Sequence, residues 1–182
     1  MKRIGVILVI IAALFVGFGY NSLVSGSQSV SQSWSQVEVQ MQRRYDLIPN
    51  LVTTTQKYID HEKGIFEKLS ADRAAFAGAH TKEEKSDAAD ALSTTVGRLI
   101  AIAENYPDLK ANQTMQQLMD ELAGTENRMS TERMRYNRAV QSYNVLVKSF
   151  PMNILANAFG YSTETYLKAK EVAHEVPQVS FK

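Results

Sequence analysis

The sequence predicts an all-α protein, an antiparallel up-down helical bundle with long helices that is preceded by an N-terminal transmembrane helix. Between Trp34 and Phe76, apolar residues recur at the a, d and e positions of a seven-residue repeat, which is typical of a bundle helix. From Tyr136 to Phe150, apolar residues alternate at spacings of four and three, the pattern of a coiled-coil seam. Residues 4–20 form an uncharged apolar run, and no stretch alternates like a strand.

The N-terminal run follows Lys2 and Arg3 and can be extended through Val24. About 21 helical residues cover roughly 30 Å, the hydrocarbon thickness of a bilayer. A cleaved signal peptide is the alternative, but no Ala-x-Ala site follows the run. We therefore predict a single-pass membrane anchor over residues 1–24. Because the basic residues precede the run, the C-terminal domain is predicted to be extracytoplasmic.

Residues 25–33 are rich in Ser and Gln and are predicted to form a stalk. A flexible linker is one interpretation. Since the stalk holds a single glycine, Gly26, and no proline, a helix continuous with the anchor is the other, and the sequence leaves both open. The helical bundle is predicted over residues 34–176, followed by a C-terminal tail at 177–182.

Local signals place the bundle helices. The first long helix is predicted to end near Gly78, and Thr81 with Glu84 forms a capping-box signature that starts the second helix. That helix is predicted to end at Tyr106-Pro107, and residues 107–112 to form a turn in which Asn112 or Thr114 caps the next helix.

The third long helix is predicted to run from about Thr114 to Phe150, because Pro151 cannot continue it unkinked. A short apolar helix over residues 152–159 is closed by Gly160. A final amphipathic helix is predicted from Glu164 to about 175, which completes the bundle.

Composition argues against several functions. A net charge of +1 lacks the basic excess of a nucleic-acid-binding protein, and the chain has no cysteine for a nucleophile or a thiolate metal site. His61-Glu62 begins like a zinc-protease signature, but position 65 is Ile rather than His. Glu104 has no His three residues on, as a di-metal bundle site would require. We predict no enzyme, no catalytic residue, no cofactor and no metal.

Polar residues that interrupt the apolar faces are the candidate site. On the third helix, Arg, Tyr and Asn each repeat at a spacing of seven residues. If the helices are antiparallel, these residues can meet the polar residues of the first helix, for example an arginine with Asp46 or Asn137 with Asn50. A buried network that fixes helix register is the structural interpretation, and a groove for a partner is the functional one. The candidate cluster comprises Arg43, Arg44, Asp46, Asn50, Arg128, Arg135, Asn137 and Asn144.

The short apolar helix provides a second candidate surface, an assembly patch made of Ile154, Leu155 and Phe159. These residues could close the end of the bundle core. Alternatively, they form an exposed patch for subunit contact or for the membrane surface.

Distinctive sequence blocks follow one another along most of the chain: residues 34–40 (WSQVEVQ), 43–52 (RRYDLIPNLV), 104–112 (ENYPDLKAN), Leu118, 120–122 (DEL), 124–128 (GTENR), 135–137 (RYN), 139–140 (AV), 143–144 (YN) and 150–153 (FPMN). These blocks resemble the signature of the LemA family over nearly the whole chain. The resemblance weakens in the first 30 residues and after Tyr161. It implies a bacterial inner-membrane-anchored helical bundle with an N-terminal transmembrane helix, and it supplies no catalytic residues to carry over.

Two functions are compatible with these features. The first is a non-enzymatic scaffold of the bacterial envelope that forms a homo-oligomer and organises protein partners or membrane shape. The second is a monomeric binding module, accessory to an envelope protease or signalling system, that uses the polar cluster. An enzyme with a metal or ligand at His61 or Glu104 is the third and least favoured hypothesis.

Overall fold

The computed structural model describes residues 2–59 and 61–168, whose regular secondary structure is entirely helical, with no strand among them. The predicted all-α fold is thus confirmed. The tail at 177–182 and the part of the last predicted helix beyond Lys168 lie outside the described residues. The helices are α1 (Lys2–Gln56), α2 (Lys63–Gly78), α3 (Lys82–Ala103), α4 (Pro107–Lys110), α5 (Gln113–Lys148) and α6 (Met152–Ala158).

Helix α1 contains the predicted anchor and continues without interruption through the Ser/Gln-rich residues 25–33. Within the described residues it is the one helix long and apolar enough to cross a membrane. Val30 is buried, so the stalk segment packs against other residues rather than standing free. Of the two forms that the sequence left open for this segment, the structure has the helix. The division into anchor, stalk and bundle stays a prediction.

The prediction of one helix from Trp34 to Gly78 is wrong. Helix α1 passes through Pro49 and ends at Gln56, and α2 begins at Lys63. In the intervening turn, the backbone N–H groups of Tyr58 and Ile59 donate to the carbonyl of Thr55, and Ile59 is fully buried. The turn carries neither glycine nor proline, and the apolar repeat continues across it, so the pattern gave no sign of a break.

The capping box at Thr81 is formed as predicted. The Glu84 backbone N–H donates to the Thr81 hydroxyl oxygen, and the Glu84 carboxylate accepts from the backbone N–H groups of His80 and Thr81. Further along the chain, the predicted turn contains the single helical turn α4. Asn112 is the cap before α5, since its side-chain oxygen accepts from the Met115 backbone N–H at 3.1 Å.

The last predicted helix does not begin at Glu164. Residues 161–168 have no regular secondary structure. The Asn144 side chain on α5 hydrogen-bonds to both the N–H and the carbonyl of Glu164. The Tyr136 hydroxyl donates to the carbonyl of Thr165. Two carbonyls that a helix would use for its own hydrogen bonds therefore accept from α5 side chains instead. Before this segment, Gly160 adopts a positive φ of 76° and ends α6, as the sequence predicts.

The described residues form two compact units, and the division falls within α1 and α5. Unit 1 comprises residues 2–39 and 128–166, and unit 2 comprises 40–59, 61–127 and 167–168. In unit 1, the α1 and α5 side chains Val37, Met129 and Val140 are buried together with α6 residues. The core of unit 2 consists of Ile48, Leu51, Ile59, Leu69, Leu92, Val96, Leu99, Ala103, Leu109, Met115 and Leu122.

The capping box at the start of α3 makes stability depend on pH. The backbone N–H groups of His80 and Thr81 donate to the Glu84 carboxylate and lower its pKa below the usual value of 4.5. Because the folded pKa is the lower one, the carboxylate stabilises the fold fully above pH 4.5 and loses this contribution as the pH falls through the folded pKa. Glu84→Gln keeps an acceptor but removes the charge. Chemical unfolding of both proteins should show a difference at neutral pH that shrinks in acid.

Asp87→Asn, which removes an exposed carboxylate from the same helix, is the matched control. A Glu84→Gln deficit that stays constant with pH would contradict the charged cap as its cause.

Candidate functional site

In unit 2, the polar cluster includes a buried ion pair. The guanidinium Nη1 of Arg44 on α1 contacts the Glu126 carboxylate on α5, and only 8% of the arginine side chain is exposed against 33% of the glutamate. Arg44 falls in the d column of the apolar repeat, so its helix face directs it inward. An arginine placed there needs a partner, because an unpaired buried charge is costly. The pair therefore connects α1 to α5.

The other three α1 members of the cluster lie on the surface. Arg43, Asp46 and Asn50 are exposed, and Asp46 accepts a hydrogen bond from the Gln42 side chain at 2.8 Å within its own helix. Asp46 therefore contacts Gln42 and not the expected arginine. Sequence reasoning missed Glu126 as the partner of Arg44. Its position four residues after the core residue Leu122 was the available signal.

In unit 1, Asn144 holds the segment that follows α6. Its amide nitrogen donates to the Glu164 carbonyl at 2.9 Å, and its amide oxygen accepts from the Glu164 backbone N–H at 2.8 Å. Nearby on the same helix, Tyr136 packs edge to face on Trp34, with ring centroids 5.7 Å apart. Asn144 thus uses both ends of its amide to fix an otherwise irregular segment.

The remaining cluster residues of α5 do not converge on one point. Arg128 is exposed, and Arg135 pairs with Glu132 of its own helix at 2.7 Å. Asn137 is half-buried. Asn50 and Asn137 belong to different units, and their pairing stays a prediction.

A polar contact that the sequence did not identify connects α2 and α3. Asp72 is buried and accepts a hydrogen bond from the Thr95 hydroxyl at 2.6 Å, and the Lys68 ammonium pairs with its other oxygen. In the same unit, the Arg73 guanidinium lies 4.4 Å from the centroid of the Tyr45 ring. Asp72 interrupted the apolar column in the sequence, and this interruption was the only sign of its role.

The predicted assembly patch is divided between two sides of α6. Leu155 is buried and packs against Gly19 of α1, where a Cβ would overlap the leucine side chain. Ile154 and Phe159 stay exposed, although the Phe159 ring also contacts Tyr20 edge to face at 5.0 Å. Leu155 is therefore an internal contact and is not available to a second subunit.

Close helix packing continues from α6 along α1. A Cβ on Gly26 would lie 3.0 Å from the Tyr143 ring, so glycine permits this approach. Burial raises the pKa of the Tyr143 hydroxyl, and the Glu164 carboxylate adds to the shift. Tyr143 consequently stays neutral and acts as a packing residue.

A shallow cleft of about 370 Å³ lies between the end of α1 and the start of α5 in unit 2. Asn50 of the predicted cluster lines it together with Leu47, Thr53, Thr54, Thr114, Gln117, Leu118 and Glu121. The candidates for an enzyme site, His61 and Glu104, are both exposed. Within residues 2–59 and 61–168, no three His, Asp or Glu side chains are grouped as a metal site requires.

These features define a class of protein: an all-α helical bundle with one N-terminal helix that is apolar enough to cross a membrane. Its buried side chains Arg44, Asp72 and Asn144 hold helices and segments of the chain together. The sequence model of the LemA family matches residues 33–181, and the chain belongs to that family.

Curated relatives are magnetosome proteins. MamQ 1 and MamQ 2 of Paramagnetospirillum magneticum (strain ATCC 700264 / AMB-1) are each 28% identical to this chain, covering 83% of it and 65% of the relative. MamQ of Magnetospirillum gryphiswaldense is 26% identical with the same coverage. The chain thus spans about 65% of the length of the curated relatives that it matches.

The buried ion pair predicts a specific stability loss. Glu126→Gln leaves the Arg44 guanidinium buried without a charged partner, and we expect a loss of about 1–3 kcal/mol in the free energy of unfolding. The loss stays below that of a fully buried pair because Glu126 is one-third exposed. Replacing both residues by Met should recover more than half of it. Denaturant unfolding monitored by circular dichroism measures each variant.

Asp120→Asn, an exposed carboxylate on the same helix, controls for the loss of one negative charge and should change stability by less than about 0.5 kcal/mol. If Glu126→Gln matched that control, the ion pair would have no structural role.

The amide contacts of Asn144 predict a local effect. Asn144→Ala removes both hydrogen bonds to Glu164 and should cost about 1–3 kcal/mol. Hydrogen exchange measured by mass spectrometry should show faster exchange in residues 161–168, while α2 and α3 exchange as in the wild type. Asn157→Ala, an exposed asparagine on α6, is the control. Uniformly faster exchange throughout the protein would argue against a local role of Asn144 in holding residues 161–168.

Proposed function

We propose that this protein is a membrane-anchored, non-enzymatic scaffold of the bacterial envelope that self-associates through α1. It organises protein partners or the shape of the membrane. Its anchor is the apolar part of α1, and its location is the inner membrane, with the domain on the extracytoplasmic side.

The observation that carries self-association is a charge-free exposed face of α1. Five of its residues follow alternating spacings of three and four, and every one of them is exposed. Positions at this spacing lie along one stripe of a helix, or seam, the arrangement through which paired helices contact each other. The members of this seam are Ser25, Gln28, Gln32, Ser35 and Val39.

Charge distribution favours a helix as the partner of this seam. No charged residue occurs between Arg3 and Glu38, whereas solvated helix faces elsewhere in the chain carry Lys, Arg, Asp and Glu. Depletion of charge is typical of the buried part of a protein interface, since Ser and Gln cost less to desolvate than a charge. A second copy of α1 presents the same seam and is the simplest complement.

The membrane anchor is supported by the exposure of α1 residues 4–18, all of which are uncharged and exposed. Lys2 and Arg3 precede this segment and favour a cytoplasmic N-terminus. The magnetosome relatives fit a membrane-associated, non-enzymatic role. The buried polar pairs support the same conclusion, because Arg44 and Asn144 bind groups of this chain rather than a substrate.

The molar mass of the full-length protein in mild detergent tests self-association. We expect a discrete oligomer by light scattering over a range of concentrations. Gln28→Lys combined with Gln32→Lys places like charges face to face across the seam and should reduce the assembly to monomers, with unchanged helicity and melting temperature. Ser130→Lys with Gln141→Lys, two exposed positions on α5, is the matched control and should leave the mass unchanged.

A wild-type monomer at every concentration would contradict self-association. The second candidate, a monomeric binding module accessory to an envelope protease or signalling system, would then be preferred. The observation that favours it is the cleft beside Asn50, which has the exposed Arg43 on the same helix.

A further inference from the structure

Helix α6 packs against α1 at the point where the exposed apolar segment of α1 ends. Residues 4–18 are exposed, and Gly19 is the first buried residue of the helix because Leu155 covers it. One residue further, the Tyr20 ring contacts Phe159 at 5.0 Å and Tyr161 at 6.4 Å, both edge to face. The end of unit 1 that contains α6 is therefore fixed to α1 at the level of Gly19 and Tyr20.

The exposed apolar segment of α1 is too short to cross a bilayer by itself. Residues 4–18 are fifteen residues and extend over about 22 Å at 1.5 Å per residue. A bilayer has a hydrocarbon core of about 30 Å. The remaining distance of about 8 Å corresponds to roughly five residues of α1, which begin at Gly19. This is the part of α1 against which α6 packs.

Large apolar side chains are exposed on the outer surface of this end. Phe150 is 80% exposed, Ile154 is 59% exposed and Phe159 is 49% exposed. Lys148 is the only charged residue between positions 139 and 163. A lysine beside the membrane can extend its ammonium group toward the aqueous side. The surface thus lacks the carboxylates and the charge density of a face that contacts bulk water.

We propose that α6 and the residues that flank it lie in the interfacial layer of the bilayer, around the exit of α1. Phe150, Ile154 and Phe159 contact lipid there. Tyr20 and Tyr161 lie within the depth of about 5–10 Å that interfacial helices reach below the headgroups, and tyrosine is enriched in this layer of membrane proteins. The occupant of this apolar surface is lipid. Continuity with the membrane-crossing helix, and not the exposure alone, identifies it.

This inference rests on the proposed membrane crossing by α1 and does not require self-association. It also gives different roles to the buried and the exposed residues of the assembly patch. Leu155 fastens α6 to α1, and Ile154 faces the bilayer.

Accessibility of spin labels tests the proposal. Because the chain contains no cysteine, single labels can be attached to the full-length protein through Phe150→Cys or Ile154→Cys. Ile10→Cys in the middle of the anchor and Gln141→Cys on the exposed face of α5 are the controls. Each protein is placed in phospholipid nanodiscs at one copy per disc. Collision rates are then measured with oxygen, which partitions into lipid, and with a water-soluble nickel chelate.

We expect the oxygen-to-nickel ratio at positions 150 and 154 to exceed that at 141 several-fold and to lie below that at 10. Ratios at 150 and 154 equal to that at 141 would overturn the proposal while leaving the anchor intact. A raised ratio that appears only with several copies per disc would also overturn it, in favour of a second copy as the occupant. A water-exposed label at 10 would overturn both the anchor and the placement of α6.

Discussion

The cost of removing charge from water constrains much of this structure. Between Arg3 and Glu38, α1 has no charged residue, although its composition changes from apolar to Ser- and Gln-rich at about residue 21. The apolar part permits contact with lipid, and the polar uncharged part permits contact with another helix. Where a charge does enter the interior, as Arg44 does, a carboxylate accompanies it. The same rule thus accounts for the buried pair and for the composition of the proposed anchor and the proposed seam.

How far the sequence could predict the fold depended on whether the signal was local. Thr81 and Asn112 cap the starts of helices, and Gly160 ends one, each through backbone groups within a few residues of its own position. The structure confirms all three. The break after Gln56 had no such signal, because its turn is held by the burial of Ile59 and not by glycine or proline. Tertiary contacts also decided the structure of residues 161–168, where α5 side chains hydrogen-bond to backbone groups that a helix would need.

The candidate cluster was less predictable than the fold because some of its members are buried and hold the structure together, whereas others lie on the surface. Interruption of an apolar face identified Arg44 as unusual, and seven-residue spacing identified Asn144, but neither pattern shows which helix faces these residues. Their partners, Glu126 and the backbone of Glu164, depend on how the chain folds back on itself. Arg43, in contrast, shares the sequence block with Arg44 and is exposed, since neighbouring helical positions differ by about 100°. A linear motif therefore combined a packing residue with a surface residue.

The two proposed surfaces of unit 1 reinforce each other physically. Contact of α6 with the interfacial layer would restrict the rotation and depth of each copy in the bilayer. Loss of translational and rotational freedom is a major cost of association, and copies held in one plane and one orientation have already lost part of it. A seam of Ser25, Gln28, Gln32, Ser35 and Val39 offers little apolar area and would be weak between molecules free in solution. Between molecules oriented by a membrane, the same seam would have less entropy to overcome, so modest polar contacts would be sufficient for the proposed assembly.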